Sequence, residues 1–187
     1  MNFQNKVAVI TGSTAGIGEA VAEQLHKYGA KVVIVSRSSA QAKQKAKRLS
    51  SQGQPAMGIG CDVSQPEQVR QMIDEVIKNF GRLDCAVNNA GLTGEHGKNI
   101  TEQTVENWDK VIATSLSGVF YCLKYEIPQM MKFGGSIVNL SAVNGLVGIP
   151  GLAPYTVAKH GIIGLTQTAA LEFACQGIRV NAVAPGY

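Results

Sequence analysis

Charge is scarce in this sequence of 187 residues: 16% are charged against 45% hydrophobic, a balance that excludes a disordered chain and suffices for a substantial core. The formal excess of +4 is scattered along the chain. Its one cluster, Lys43, Lys45, Lys47 and Arg48, reads as the wet face of a helix, which argues against a nucleic-acid partner. No run approaches 18 apolar residues and no apolar signal segment opens the chain, so neither membrane spanning nor secretion is indicated and a cytoplasmic location is expected. The four cysteines, at 61, 85, 122 and 175, include no C-x-x-C pair and read as buried small hydrophobes in a reducing compartment. His26, His96 and His160 show no metal-ligand spacing, so no metal is expected. Internal repeats and low-complexity tracts are also missing.

What the chain does have is glycine, 21 residues of it, at the ends of short apolar runs rich in β-branched residues. Strands are expected at Lys6–Thr11, Lys31–Ser36, Ala56–Cys61, Leu83–Asn88, Ser136–Leu140 and Ile178–Ala184. Between them fall helical patterns at Glu19–Tyr28, from Ser38 or Ser39 to about Ser51, and from Pro66 to Phe80, the last N-capped by Ser64 with Glu67 completing a capping box. Further helical sequence begins at Thr101, is broken or kinked at Gly118, resumes over Val119–Lys132, and returns from Pro154 to near Cys175. This βα alternation predicts one α/β domain over residues 1–187, a mostly parallel sheet with helices on both faces. Ligands of such sheets bind beyond the carboxyl ends of the strands, here residues 12–18, 36–39, 62–63, 89–97, 141–150 and 185–187.

The first strand runs into Gly12-Ser13-Thr14-Ala15-Gly16-Ile17-Gly18. Glycines let the backbone turn sharply and approach a ligand, while the helix start offers unpaired N–H groups and a positive dipole end to a pyrophosphate. The glycines fall at 12, 16 and 18, not in the G-x-G-x-x-G spacing, so alone the loop also fits an ordinary tight turn. Tyr155 and Lys159 stand one turn apart on the last long helix. An ammonium there favours the phenolate and draws a tyrosine, ordinarily near pKa 10, toward useful acid/base chemistry. Ser141, ending the fifth strand, can reach the same space and hydrogen-bond a substrate oxygen.

Together these motifs resemble the single-domain short-chain dehydrogenase/reductase family. Thr11 to Gly18 matches its cofactor loop, Asp62-Val63 its adenine contact, Asn88-Asn89-Ala90-Gly91 its strand-four motif, and Pro185-Gly186 the motif after strand six. Ser141, Tyr155 and Lys159 match its catalytic serine, tyrosine and lysine. The resemblance implies a Rossmann-type doubly wound sheet and interconversion of a carbonyl and a secondary alcohol with a nicotinamide dinucleotide. Tyr155 would exchange the proton, Ser141 would polarise the oxygen, and Lys159 would bind the nicotinamide ribose and lower the Tyr155 pKa. Gly12, Ser13, Thr14, Gly16, Ile17, Gly18, Arg37, Asp62, Val63, Asn89, Ala90, Gly91, Pro185 and Gly186 would contact the cofactor. One position departs from the family pattern: Ser115 stands where an asparagine is usual in the Trp108-to-Phe120 segment. That asparagine is associated with a water relaying protons to the lysine, so Ser115 is a fourth candidate through which the relay is weakened or rebuilt.

The second strand ends in Ser36-Arg37-Ser38 without a carboxylate. An arginine there accommodates the 2′-phosphate of NADP where an acidic residue would favour NAD, so NADP is expected, although Ala15 stands where many NADP-preferring relatives carry a second basic residue. The alternatives are an NAD-dependent dehydrogenase of the same family and a catalytically weak cofactor-binding relative with a structural or regulatory role. Val143, Leu146, Val147 and Ile149 form either an apolar wall for a medium-sized ketone or alcohol or packing against the next helix. By resemblance, Val119–Lys132 and Tyr155–Cys175 pair in a homodimer or homotetramer, burying Phe120, Leu123, Ile127, Met130 and Met131 with Ile162, Ile163, Leu165, Leu171 and Phe173. Relatives continue past the Pro-Gly motif with a threonine-containing loop, lid helices and a seventh strand. A longer natural protein is therefore expected, with Ile178–Ala184 at a sheet edge carrying one charge, and a polypeptide truly ending at Tyr187 is expected to retain weak cofactor binding at most and little turnover.

Overall fold

The apolar runs Val7–Thr11 and Lys31–Ser36 become strands buried on both faces, as central parallel strands are, whereas Ile178–Val183, at the sheet edge, leaves Arg179 and Asn181 exposed. The computed structural model describes residues 2–186. Strands β1 (Val7–Thr11), β2 (Lys31–Ser36), β3 (Ala56–Gly60), β4 (Cys85–Asn88), β5 (Gly135–Leu140) and β6 (Ile178–Val183) form one parallel sheet in the order β3-β2-β1-β4-β5-β6. Helices α1 (Gly16–Lys27), α2 (Ser39–Ser50), α3 (Pro66–Phe80), α4 (Val105–Ile112), α5 (Gly118–Met130) and α6 (Ala153–Phe173) connect them. Strand pleating sorts the core into two layers. Val7, Val9, Val33 and Val35 face α3, α5 and α6 through Val69, Ile73, Val119 and Ile162. Ala8, Ile10, Val32 and Ile34 face α1 and α2 through Ala22, Ala42 and Ala46. In the second layer alanines let α2 approach closely, and at Gly58 a side-chain carbon would lie 2.4 Å from the Ala42 backbone.

Several local expectations are corrected. Ser64 does not cap α3: its hydroxyl donates to Asp62 Oδ1 at 2.8 Å and its N–H to the same oxygen at 3.0 Å, a local turn that outcompetes the helix, and Gln65 occupies the cap. Thr101 lies in a turn around Asn99 Oδ1, and α4 begins only after Thr104, whose hydroxyl accepts from Asn107 N at 3.1 Å. Gly118 does not break the helix. A π turn over Ala113–Ser117 absorbs the change of phase, and α5 follows without interruption. Cys61 and Cys122 are buried as expected, but Cys85 is half-buried and Cys175 exposed.

Beneath the carboxyl ends of β4 and β5 lies a polar chain sealed from solvent. Asn88 Nδ2 donates to Glu126 Oε2 and to Asn139 Oδ1, each at 3.0 Å, and Asn139 Nδ2 donates to Thr166 Oγ1 at 2.9 Å. It ties β4, β5, α5 and α6 together under the cleft.

Candidate active site

The strand order reverses between β1 and β4, so the loops after these strands diverge and leave a crevice. Thr11 and Asn89 lock its floor. Thr11 Oγ1 accepts from the N–H groups of Asn89 and Ala90 at 3.0 Å each, while Asn89 Nδ2 donates to Thr11 O at 2.9 Å and Gly12 O at 3.1 Å. Gly12 turns the chain at φ +64°, and Gly18 presses so close that a side-chain carbon would lie 2.5 Å from both Asn89 Nδ2 and Gly12 O. Helix α1 starts at Gly16 behind Ala15, which has no capping side chain, so its first N–H groups are left to face the loop.

Two cavities meet at Gly91 and Leu92. One, of about 190 Å³, is bounded by Gly12, Thr14, Arg37, Asp62, Val63 and Ala90. The other, of about 340 Å³, is bounded by Ile17, Asn89, Ser141, Tyr155, Lys159, Pro185 and Gly186. Most of the expected contacts thus line two adjoining cavities that share Gly91 and Leu92, from the end of β2 to the start of α6. Pro185 is held there by Val143, whose N–H donates to Pro185 O at 2.9 Å; Tyr187 lies outside the described residues.

Ser13 and Ser115 are turned elsewhere. The buried Ser13 hydroxyl donates to Ile10 O at 2.6 Å and accepts from Val35 N at 3.0 Å, splicing β1 to β2 instead of facing the cleft. Ser115, in the π turn, accepts from Leu92 N and donates to Leu92 O, both at 2.9 Å, and is fully buried behind Gly91. Its hydroxyl clamps the cleft floor.

Lys159 is 4% exposed. Its Nζ donates to Leu140 O at 2.5 Å and lies 5.4 Å from the centroid of the Tyr155 ring. Burial pushes its pKa down to about 8, so at neutral pH the ammonium persists beside the tyrosine. Ser141 also has a backbone partner: its hydroxyl donates to Lys159 O at 2.9 Å, beneath Gly145. Of the expected apolar wall, Val143 lines the cavity, whereas Leu146 and Val147 are solvent-exposed and Ile149 is not among the lining residues. Leu92, Thr93, His96 and Asn144 also line it, inside the stretches 89–97 and 141–150 expected to face a ligand though not singled out there, and Leu152 lines it from outside them. Only Asn144, a carboxamide in an otherwise apolar loop, carried a signal in the sequence.

Among the described residues no cluster of His, Cys, Asp and Glu could hold a metal, and no helix is long and apolar enough to cross a membrane.

The family model described as short chain dehydrogenase matches residues 6–187. The chain is 40% identical over 187 residues to the cyclohexanol dehydrogenase of Acinetobacter sp. (strain SE19), covering 99% of this chain and 74% of that protein. It is 42% identical over 184 residues to the 3-oxoacyl-(acyl-carrier-protein) reductase of Staphylococcus aureus (strain N315), covering 97% and 74%. Among solved structures, NAD+-bound xylitol dehydrogenase superimposes with a TM-score of 0.96 at 33% identity, over 100% of this chain and 72% of that one. A short chain dehydrogenase from Mycobacterium smegmatis gives 0.93 at 31%, over 98% and 78%.

Proposed function

The chain belongs to the short-chain dehydrogenase/reductase family of NAD(P)-dependent oxidoreductases, and on that premise we propose that it is an NADP(H)-dependent enzyme interconverting a carbonyl and a secondary alcohol, with Tyr155 as its acid and base. The observation that carries this reading is the buried Lys159 ammonium 5.4 Å from the Tyr155 ring, in a cavity that shares Gly91 and Leu92 with the glycine-loop groove.

The cleft suits a dinucleotide. A side-chain carbon on Gly12 would come within 3.0 Å of Ala90 Cα, so the glycine lets the loop turn tightly against the end of β4 on its way to the α1 N-terminus, where a pyrophosphate would sit. Gly12, Thr14, Asp62 and Val63 would hold the adenosine half; Ile17, Asn89, Gly91, Pro185 and Gly186 the nicotinamide half. The bound cofactor supplies the hydride. Tyr155 donates the proton to the carbonyl oxygen in reduction and removes it from the hydroxyl in oxidation. Lys159 keeps positive charge beside the tyrosine, and Leu92, Val143 and Leu152 give the cavity an apolar flank.

Arg37 supports the choice of NADP. It is exposed at the mouth of the adenosine half, enters none of the ion pairs among the described residues, and precedes a helix with no acidic residue in its first turn. Arg37→Asp is expected to weaken NADP(H) by about 10- to 100-fold, since a charge-assisted bond gives way to repulsion, with little effect on NAD(H). Calorimetric dissociation constants check this. Equal affinities in the unmutated protein would instead favour the NAD-dependent reading.

The same proposal includes a cytoplasmic homo-oligomer. Phe120, Leu123, Ile127, Met131, Leu165 and Phe173 line an apolar groove of about 500 Å³ between α5 and α6, with Phe120 47% exposed. Met130 and Ile162, expected in the same surface, are buried in the core. Light scattering at micromolar concentration is expected to give a dimer or tetramer, shifted toward monomer by Phe120→Glu; a strict monomer before mutation contradicts it.

A further inference from the structure

Carbonyl reduction and its reverse, the reaction proposed for this site and presupposed here, place charge on the substrate oxygen, which needs a second hydrogen-bond donor beside the acid/base tyrosine. Ser141, the donor expected from the sequence, is 4% exposed and its hydroxyl is spent on Lys159 O at 2.9 Å. Ala142 is extended, at φ −163° and ψ 172°, so neighbouring side chains point to opposite sides of the chain. Ser141 turns onto α6, and the next residue offers only a methyl group. Other polar neighbours are also engaged. Asn89 Nδ2 is held by Thr11 O and Gly12 O, Lys159 Nζ donates to Leu140 O, and His96 pairs with Thr93 at the exposed rim.

Asn144 is different. It sits on the 3₁₀ turn Val143–Gly145, is 3% exposed, and lines the cavity that Tyr155 and Lys159 line. Its Nδ2 makes one long bond, 3.4 Å to Thr156 Oγ1, which a substrate oxygen can readily displace. We propose that Asn144 takes the substrate-orienting part assigned to Ser141, and that it favours a carbonyl flanked by a hydroxyl: an α-hydroxyketone in reduction, a vicinal diol in oxidation. A carboxamide presents a donor and an acceptor side by side. Nδ2 donates to the reacting oxygen while Oδ1 accepts from the adjacent hydroxyl. In reduction the carbonyl carbon gains a hydride from the reduced dinucleotide and the oxygen a proton from Tyr155, and Asn144 is chemically unchanged.

Acetoin and butanone form the matched test pair. The unmutated protein is expected to prefer acetoin in kcat/KM. Asn144→Ala is expected to lower kcat/KM for acetoin by about 100-fold, the scale of one lost oxyanion donor, and to bring the two substrates to parity. Ser141→Ala is expected to keep both the preference and the rate within about threefold, since it removes one ordinary hydrogen bond. Asn144→Asp, nearly isosteric, covers the case in which alanine is not tolerated, and is expected to lose a similar factor because a carboxylate has no donor. A readout independent of turnover is calorimetric binding of the vicinal diol to Tyr155→Phe protein saturated with oxidised dinucleotide; adding Asn144→Ala should weaken it about tenfold. The proposal is overturned if Ser141→Ala causes the larger loss, or if Asn144→Ala leaves the acetoin-to-butanone ratio unchanged. Full turnover by Tyr155→Phe alongside an impaired Asn144→Ala would sink the tyrosine reading and leave Asn144 standing.

Discussion

Tyr155→Phe is expected to lower kcat by about a thousandfold, inside the range that positioned acid/base groups contribute, while the cofactor dissociation constant stays within about twofold. The substitution keeps the ring beside which Lys159 Nζ sits, 5.4 Å from its centroid, and removes only the oxygen. Because Lys159 donates to Leu140 O regardless of that oxygen, its position should persist. Stopped-flow absorbance of the reduced dinucleotide against a ketone panel reads the chemical step, and fluorescence titration reads the binding. Wild-type kcat in the variant refutes the role; a parallel collapse of cofactor affinity points to a structural one. The pH profile carries a linked expectation. Burial pushes the Lys159 pKa down to about 8, so the supporting ammonium is present below that value and lost above it. The reductive kcat/KM should fall as pH rises through about 8.

Glu126→Gln is expected to raise stability at pH 8 by roughly 3 kcal/mol and to change it little near pH 4.5. Glu126 is fully buried, and desolvation pushes its pKa up to about 7 despite the bond from Asn88. The sign follows from linkage: below about 4.5 the carboxyl is protonated in both states. Between about 4.5 and 7 the unfolded chain releases a proton that the fold retains, so stability declines as pH rises, and the penalty is complete above about 7. Asn88 Oδ1 and Glu126 Oε1 are the two buried side-chain atoms without a hydrogen-bond partner among the described residues. Protonated, Glu126 can donate to Asn88 Oδ1 and satisfy both; glutamine, with a permanent N–H at that place, does so at every pH. Cys122 feels the charge of this carboxyl, and Cys61 lies near Cys122; both thiols are themselves pushed up by burial. Chemical denaturation of both proteins from pH 4.5 to 8 gives the test: a stability difference that does not grow with pH would show that the carboxyl ionises freely in the fold.

The signals that survived folding were local or periodic. Short apolar runs, glycines after strands and the one-turn spacing of Tyr155 and Lys159 determined the α/β class and the stretches that gather at the strand ends, while the family came through the resemblance of its ordered motifs. Each depends on backbone sterics or helix pitch, which act within a few residues and are therefore written into the chain. What tertiary structure decided was the direction of individual side chains. Ser13, Ser115 and Ser141 are plausible ligand contacts as residue types, yet each hydroxyl closes a bond to a backbone group distant in sequence, Val35, Leu92 and Lys159 respectively. Ser64 fails as a cap because Asp62 claims its hydroxyl, and Gly118 fails as a break because a π turn had already shifted the helix phase. The burial of Glu126 likewise has no local signal and follows from the packing of α5 against Asn88 of β4. A short hydroxyl or a carboxyl binds whichever partner packing brings within about 3 Å, and that partner is set by how the layers assemble, a long-range outcome that no local pattern encodes.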